Sequence, residues 1–179
     1  MKIYMSNIEQ IKNVHDLESK LSKLEILQYN KFSNEKRKLQ YLMAHAVVRD
    51  VCGENITADL HGRPTIKSGF ISVAHKDNWV IVAISNAEVG IDIENTNINR
   101  DFVGTAELLN LPKTTDKKDF YKNFVRYEAG YKFGNDANQS HMYFYEFGNY
   151  LIGVCTKESA QDIKFISTDA VGIRFVCAE

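Results

Sequence analysis

The sequence predicts an α+β protein made of two similar α/β-hairpin subdomains related by a pseudo-twofold. Segments with helical spacing alternate with paired β-rich runs that tight turns connect. A shift of 71 residues also lays 70–85 over 141–156 without a gap, and each of these hairpins follows a long helix. We therefore expect an N-terminal half at 1–88 and a C-terminal half at 89–179. The alternative is two hairpins that match by chance.

The N-terminal half is predicted to place one long helix before its hairpin. Its elements, in chain order, are a strand at 2–6, helical leucine spacing up to about residue 29, a helix at 34–51, and a hairpin of strands 70–75 and 79–85. Ser33 is expected to cap the start of the long helix, and Gly53 its end.

The C-terminal half is predicted to repeat this order. Its elements are a strand at 89–94, a short helix at 102–109, a helix at 116–133, a hairpin of strands 142–147 and 150–156, and strands at 162–167 and 172–177. Strand 89–94 opens this half, so it should lie at the junction of the two halves, where clefts form.

Composition sets limits on function. The chain of 179 residues is 44% hydrophobic and 25% charged, as globular proteins are. A net charge of -1 gives no overall attraction for nucleic acid or a membrane surface. The three cysteines form no C-x-x-C pair, and no apolar run approaches the roughly 18 residues of a membrane span. We expect a cytoplasmic protein, and two fused halves favour a monomer.

The strand at 89–94 carries two acids, Asp92 and Glu94, between apolar residues. Side chains alternate along a strand, so both carboxylates point to one face. Like charges in half-buried surroundings repel each other unless a cation lies between them, and Mg²⁺ is the cation that a few carboxylates usually hold. The alternative is a solvated strand edge with two surface acids.

Other charged residues could converge on these acids. Glu128 and Lys132 stand four apart and share a helix face, either as a simple ion pair or as a third metal carboxylate with a nearby cation. His75 ends a β-run beside the acidic strand, and Arg63 lies between Gly62 and Pro64 in a rigid turn that could face a phosphate. For His75 a purely structural role is the alternative, and for Arg63 an ordinary surface position.

Four motifs occur in a characteristic order. They are His-Gly-Arg-Pro at 61–64, Ser-Val-Ala-His at 72–75 followed by Trp79, Val-Gly-Ile-Asp-Ile-Glu at 89–94, and Tyr-Glu-Ala-Gly-Tyr-Lys at 127–132. In this order, from about residue 34 to 156, the chain resembles the 4'-phosphopantetheinyl transferase superfamily, specifically its two-halved members of the type that activates surfactin synthetase. Such enzymes move the phosphopantetheine arm of coenzyme A to a serine of an apo acyl or peptidyl carrier protein.

The resemblance implies the metal and catalytic residues. Asp92, Glu94 and Glu128 would bind Mg²⁺ bridging the pyrophosphate of coenzyme A. Glu128, or a metal-bound water, would help to deprotonate the serine, and Lys132 would balance charge that develops on the phosphate. Asp92, Glu128 and Lys132 are thus the expected catalytic residues.

The resemblance also implies how coenzyme A is held. His75 would contact the pyrophosphate of coenzyme A, and Arg63 would hold the 3'-phosphate of its nucleotide. Arg37, on the helix predicted at 34–51, would be a further ligand of coenzyme A.

The motifs depart from the family pattern at several positions. Phe124 and Tyr127 replace a tryptophan and a lysine of the helix motif, and Ser72 and Ala74 replace an asparagine and a serine of the histidine motif. Gln40 stands where an arginine is expected. Binding of coenzyme A should then be weaker or depend on other cations, which are Lys31, Lys36, Lys38 and Lys67.

Three functions remain open at this point. The first is an active transferase. The second is a divergent, non-catalytic protein that binds coenzyme A or a carrier protein. The third is a metal-dependent phosphohydrolase that uses the same acids with water as its nucleophile.

Overall fold

The computed structural model describes residues 1–99, 101–114, 116–134, 140–167 and 174–178, and its elements confirm a mixed α+β fold. The strands are β1 (Lys2–Asn7), β2 (Thr57–Ala58), β3 (Pro64–Thr65), β4 (Phe70–Lys76), β5 (Trp79–Ser85), β6 (Val89–Asn95), β7 (His141–Phe147), β8 (Tyr150–Thr156), β9 (Lys164–Ser167) and β10 (Arg174–Ala178). The helices are α1 (Val14–Glu18), α2 (Lys23–Tyr29), α3 (Glu35–Cys52), α4 (Phe102–Leu108) and α5 (Lys117–Phe133). None of these described helices is long and apolar enough to cross a membrane.

Two four-stranded sheets lie between the two long helices. Their strand orders are β4-β5-β1-β9 and β10-β7-β8-β6, and β2 pairs with β3 separately. The facing sides of the sheets share one apolar core, to which Ile81 and Ile152 belong. Helix α3 covers the other face of the first sheet, where Val48 packs, and α5 covers the other face of the second, where Val125 packs. The protein is therefore layered helix, sheet, sheet, helix.

The two hairpins match residue by residue. Phe70 pairs with Ser85 in the first hairpin, and His141 pairs with Thr156 in the second, 71 positions later for both partners. A third strand also flanks each hairpin in the same antiparallel way, β1 against β5 and β6 against β8. The shift seen in the sequence thus corresponds to equal strand bounds and equal register. The pseudo-twofold and the division at residue 88 stay predictions. Strand β9, from the predicted C-terminal half, pairs with β1 in the sheet of the predicted N-terminal half.

The region before α3 differs from the predicted pattern. The leucine spacing up to residue 29 forms two short helices, because Ser22 caps α2 and forms a reciprocal capping box with Glu25. Leu24 and Leu27 are exposed, so the leucines do not make a buried stripe. Asn34, and not Ser33, caps α3, since its side chain accepts a hydrogen bond from the backbone N–H of Arg37. Gly53 ends α3 in the left-handed conformation, as predicted.

The last two predicted strands correspond to β9 and β10. Strand β9 begins only at Lys164, because Ala160–Asp162 form a short 3-10 helix. Of the strand predicted at 172–177, residues 172 and 173 lie outside the described residues, and β10 begins at Arg174.

Helix α5 packs directly on the backbone of β6 at Gly90. A Cβ atom at this position would lie 2.0 Å from the carbonyl oxygen of Ala129 and 2.5 Å from the backbone nitrogen of Phe133. On the neighbouring strand β8, a Cβ at Gly153 would lie 2.4 Å from Val125. Two glycines on paired strands therefore let the helix approach more closely than any side chain would allow.

We predict that Gly90→Ala destabilises the protein by about 3 kcal/mol or more, because the clash involves helix backbone and α5 must move. Chemical denaturation would measure this loss. Gly130→Ala, within α5, is the matched control, since nothing lies within 4 Å of its new methyl group. That variant should gain about 0.5 to 1 kcal/mol from its higher helix propensity. Equal effects of the two substitutions would contradict the packing described.

Candidate functional site

The acids of β6 lie on the side of the strand that faces α5. Ile91 and Ile93 enter the core between the sheets, as the alternation predicts, whereas Asp92 and Glu94 share the opposite face with Gly90. Asp92 is only 8% exposed and Glu94 only 7%. A solvated strand edge, the alternative open from the sequence, is therefore wrong. Two buried carboxylates on one face require compensating charge.

Lysines from two neighbouring elements supply this charge. The ammonium of Lys132, on α5, donates to Oδ1 of Asp92 at 2.8 Å and to the carbonyl oxygen of Ile91 at 3.1 Å. The ammonium of Lys76, on β4, lies 2.6 Å from Oε2 of Glu94. Each acid of β6 thus forms an ion pair with a lysine from outside its own strand.

Strand β4 reaches these acids because it runs beside β6, at the edge where the two sheets meet. The backbone N–H of Ile91 donates to the hydroxyl of the buried Ser72 at 3.1 Å, which links the two strands. We call this junction the seam, comprising 72–76 of β4, 90–94 of β6 and 128–132 of α5. The sequence predicted that His75 would lie beside the acidic strand, and the seam includes it.

The carboxyl of Asp92 has a strongly raised pKa. Burial raises the pKa of its carboxyl from 3.8 to about 6, and the negative charges of Glu94 and Glu128 act in the same direction. The ammonium of Lys132 lowers the pKa but does not offset burial. Oδ2 of Asp92 is buried without a hydrogen-bond partner among the described residues. An unsatisfied carboxylate oxygen in this position is suited to a further cation.

His75 and Arg37 meet at the other side of the seam. A guanidinium nitrogen of Arg37, at the start of α3, contacts Nε2 of His75. Burial, together with the cationic Arg37 and Lys132, lowers the pKa of His75 from 6.5 to about 4. The imidazole is therefore neutral at pH 7 and accepts the hydrogen bond from Arg37. Of the predicted coenzyme A ligands, these two lie together.

Arg63, the third predicted coenzyme A ligand, lies against the C-terminal turn of α5. Its guanidinium carbon is 5.9 Å from the centroid of the Tyr131 ring. Gly134, with φ of 114°, leaves room for the guanidinium, because a Cβ there would come within 2.9 Å of it. A cation at this end of the helix is favoured by the partial negative charge of the helix dipole.

A hydrogen-bond network at the β4–β5 turn was not predicted from the sequence. Asp77, with φ of 51°, accepts hydrogen bonds on Oδ2 from Asn95 at 2.7 Å and from the Tyr150 hydroxyl at 3.1 Å. Its carbonyl oxygen accepts one from Gln40 at 2.9 Å, and Gln40 in turn accepts one from Arg37 at 3.1 Å. Gln40 thus holds the guanidinium of Arg37 in position. Only knowledge that β4 and β6 are neighbours could have indicated this network.

The position of Lys76 in the seam was also not predicted from the sequence. Lys76 follows His75 directly, so strand alternation predicts that the two side chains point to opposite faces. Both nevertheless reach the seam, because β4 is an edge strand and Lys76 is its last residue. A long flexible side chain at a strand end can extend along the edge.

The residues of the seam fit a magnesium ion in type, since carboxylate oxygens are its preferred ligands. The unpartnered Oδ2 of Asp92 and the neighbouring Glu94 and Glu128 supply them. Across the described residues, no three His, Cys, Asp or Glu side chains stand close enough together to hold a metal as they lie. Asp92 and Glu94 are instead paired with Lys132 and Lys76, and metal ligation by Asp92, Glu94 and Glu128 stays a prediction.

A separate cavity of about 340 Å³ lies at the C-terminal end of α3. Its lining in the described part of the chain includes Arg49, Glu54 and Lys67, and none of the acids of the seam. The cavity is therefore distinct from the candidate site.

Comparisons with known proteins add no relative. No protein-family model matches the sequence, and no curated protein matches it. Any function must therefore be argued from the seam itself.

We predict that Asp92 makes the metal-free protein less stable as the pH rises. Between about pH 4 and 6 the folded protein keeps a proton on Asp92 that the unfolded chain has lost, so ionisation favours unfolding. The free energy of unfolding of Asp92→Asn minus that of the wild type should grow by about 2 kcal/mol over this range, then level off. Urea denaturation at several pH values, with chelator present, measures this difference.

The control for this titration is Asp50→Asn, which changes an acid that is 57% exposed and paired with Lys20. Its difference from the wild type should stay within about 0.5 kcal/mol at every pH. A flat curve for Asp92→Asn would show that its carboxyl has an ordinary pKa.

Proposed function

We propose that this protein transfers the 4'-phosphopantetheine arm of coenzyme A to a serine of an apo acyl or peptidyl carrier protein, in a reaction that depends on Mg²⁺. One observation carries the proposal. Two buried acids of one strand lie beside Lys132, Arg37 contacts His75 of the same seam, and the negative charge of Glu128 contributes to the raised pKa of Asp92. Phosphoryl transfer needs this mixture, since positioning and electrostatic stabilisation supply most of its catalysis.

Asp92, Glu94 and Glu128 would hold the metal, and a bound Mg²⁺ would neutralise charge on the pyrophosphate. Lys132 is placed to offset the remaining negative charge, because its ammonium already lies at the Asp92 carboxylate. The neutral His75 can donate a hydrogen bond to a phosphate oxygen, and Arg37 beside it can form a charged one. The donor would thus lie across the seam.

In the transfer step, the serine Oγ forms a bond to the phosphorus next to the pantetheine arm. The bond from that phosphorus to the bridging oxygen breaks, and adenosine 3',5'-bisphosphate leaves with the electron pair. Glu128, which is partly exposed on α5, accepts the serine proton. A carrier protein can reach this carboxylate from solvent, whereas Asp92 is enclosed.

The second candidate function is a non-catalytic protein that binds coenzyme A or a carrier protein. It is favoured by the ion pair between Lys76 and Glu94, which occupies an expected metal ligand, and by Tyr127 in place of a lysine.

The test incubates the protein with coenzyme A, Mg²⁺ and a panel of apo carrier proteins, and mass spectrometry detects the added arm. We expect Asp92→Asn and Glu128→Gln to lower the transfer rate at least about 100-fold. Glu88→Gln is the matched control, since Glu88 directly precedes β6 and pairs with Lys157. It should transfer at the wild-type rate.

Calorimetry with coenzyme A separates the alternatives. Binding without transfer to any carrier would favour the non-catalytic protein. Release of adenosine 3',5'-bisphosphate without a carrier would indicate a phosphohydrolase. If neither binding of coenzyme A nor transfer to a carrier is detected, the proposed function is refuted.

A further inference from the structure

Lys76 forms a largely enclosed ion pair with Glu94. The lysine side chain is 18% exposed and that of Glu94 is 10% exposed. By comparison, the side chains of the pair between Lys20 and Asp50 are 35% and 57% exposed, although the distance is nearly the same. An ion pair that is shielded from water is screened less by solvent and salt, so its charges act more strongly on their surroundings.

The position of this ammonium conflicts with a metal at the same carboxylate. Oε2 of Glu94 is 2.6 Å from the nitrogen of Lys76, and a magnesium ion would need a carboxylate oxygen at about 2.0 to 2.1 Å. On this one oxygen the two cations would lie about 4 Å apart, where like charges repel strongly in buried surroundings. A metal that takes this oxygen must therefore displace Lys76, which lowers the affinity of Glu94 for the metal.

Lys132 does not create the same conflict at Asp92. Its ammonium lies at Oδ1, while Oδ2 has no partner among the described residues. Asp92 can therefore keep its lysine and still offer an oxygen to a metal. Of the two lysines at the seam, Lys76 holds the carboxylate oxygen for which a metal would compete.

We propose that Lys76 is a tethered counter-ion that competes with the divalent metal for Glu94 and so sets the metal affinity of the site. This inference rests on the proposed function, because it concerns the same metal site. In the metal-free protein, Lys76 compensates the buried charge of Glu94 and keeps the acids of β6 from destabilising the seam. When a metal binds, the ammonium is displaced along the edge of β4 towards solvent.

The inference makes opposite predictions for stability and for metal binding. Lys76→Met keeps the apolar stem of the side chain but removes its charge. In chelator, this variant should unfold at a lower temperature than the wild type, because Glu94 loses the ammonium of Lys76. It should bind Mg²⁺ about tenfold more tightly, because no ammonium has to be displaced. A lysine that only stabilised the fold would give the first effect without the second.

Calorimetry with Mg²⁺, and electron paramagnetic resonance with Mn²⁺ as a probe of free metal, measure affinity without any transfer assay. Lys20→Met is the matched control, since it removes an equal charge from an exposed pair and should leave the affinity unchanged. Lys76→Arg keeps a cation beside Glu94 and should bind metal about as weakly as the wild type. This variant should also remain folded in chelator if Lys76→Met does not.

The outcomes separate the two proposals. Tighter binding by Lys76→Met, with wild-type affinity in Lys76→Arg, supports the inference. Metal binding of equal or lower affinity in Lys76→Met overturns it and leaves the proposed metal site intact. If neither the wild type nor Lys76→Met binds Mg²⁺ or Mn²⁺, both the inference and the magnesium dependence of the proposed function are overturned.

Discussion

The structure depends on two carboxylates that are buried side by side on an edge strand. Asp92 and Glu94 cannot remain ionised in this position without cations, and their own strand supplies none. One cation comes from α5, across the face of the second sheet, and the other from β4, across the edge of the first. Charge compensation therefore joins three elements from both predicted halves. The same requirement brings Lys76 and Lys132 together with the two acids in the seam.

Close backbone packing makes this compensation possible. Lys132 reaches Asp92 from a helix whose backbone lies against Gly90 and Gly153. A larger residue at either position would move α5 away from the sheet and increase the distance between the Lys132 ammonium and the Asp92 carboxylate. Small residues of the sheet thus determine which charged residues can meet, although they carry no chemistry themselves.

Much of the fold was predictable because it follows local rules. Strand alternation placed the acids of β6 on one face, and the shift of 71 residues predicted that the two hairpins correspond to each other. The C-terminal end of α3 followed from Gly53, whereas its N-cap is Asn34 and not the predicted Ser33. What could not be predicted depends on the placement of one sheet against the other. The roles of Lys76, Gln40 and Asp77 depend on contacts near the junction of β4 and β6. Sequence spacing does not predict that strands of two different sheets lie side by side.

The short strand β9 has a consequence for cooperativity. It pairs in parallel with β1, so a segment that follows the second hairpin completes the sheet of the first. The first sheet therefore contains a strand from the C-terminal part of the chain. Unfolding of that part would remove the edge strand β9 from the first sheet. The protein should unfold in a single two-state transition, in which neither predicted half remains folded alone as a stable intermediate.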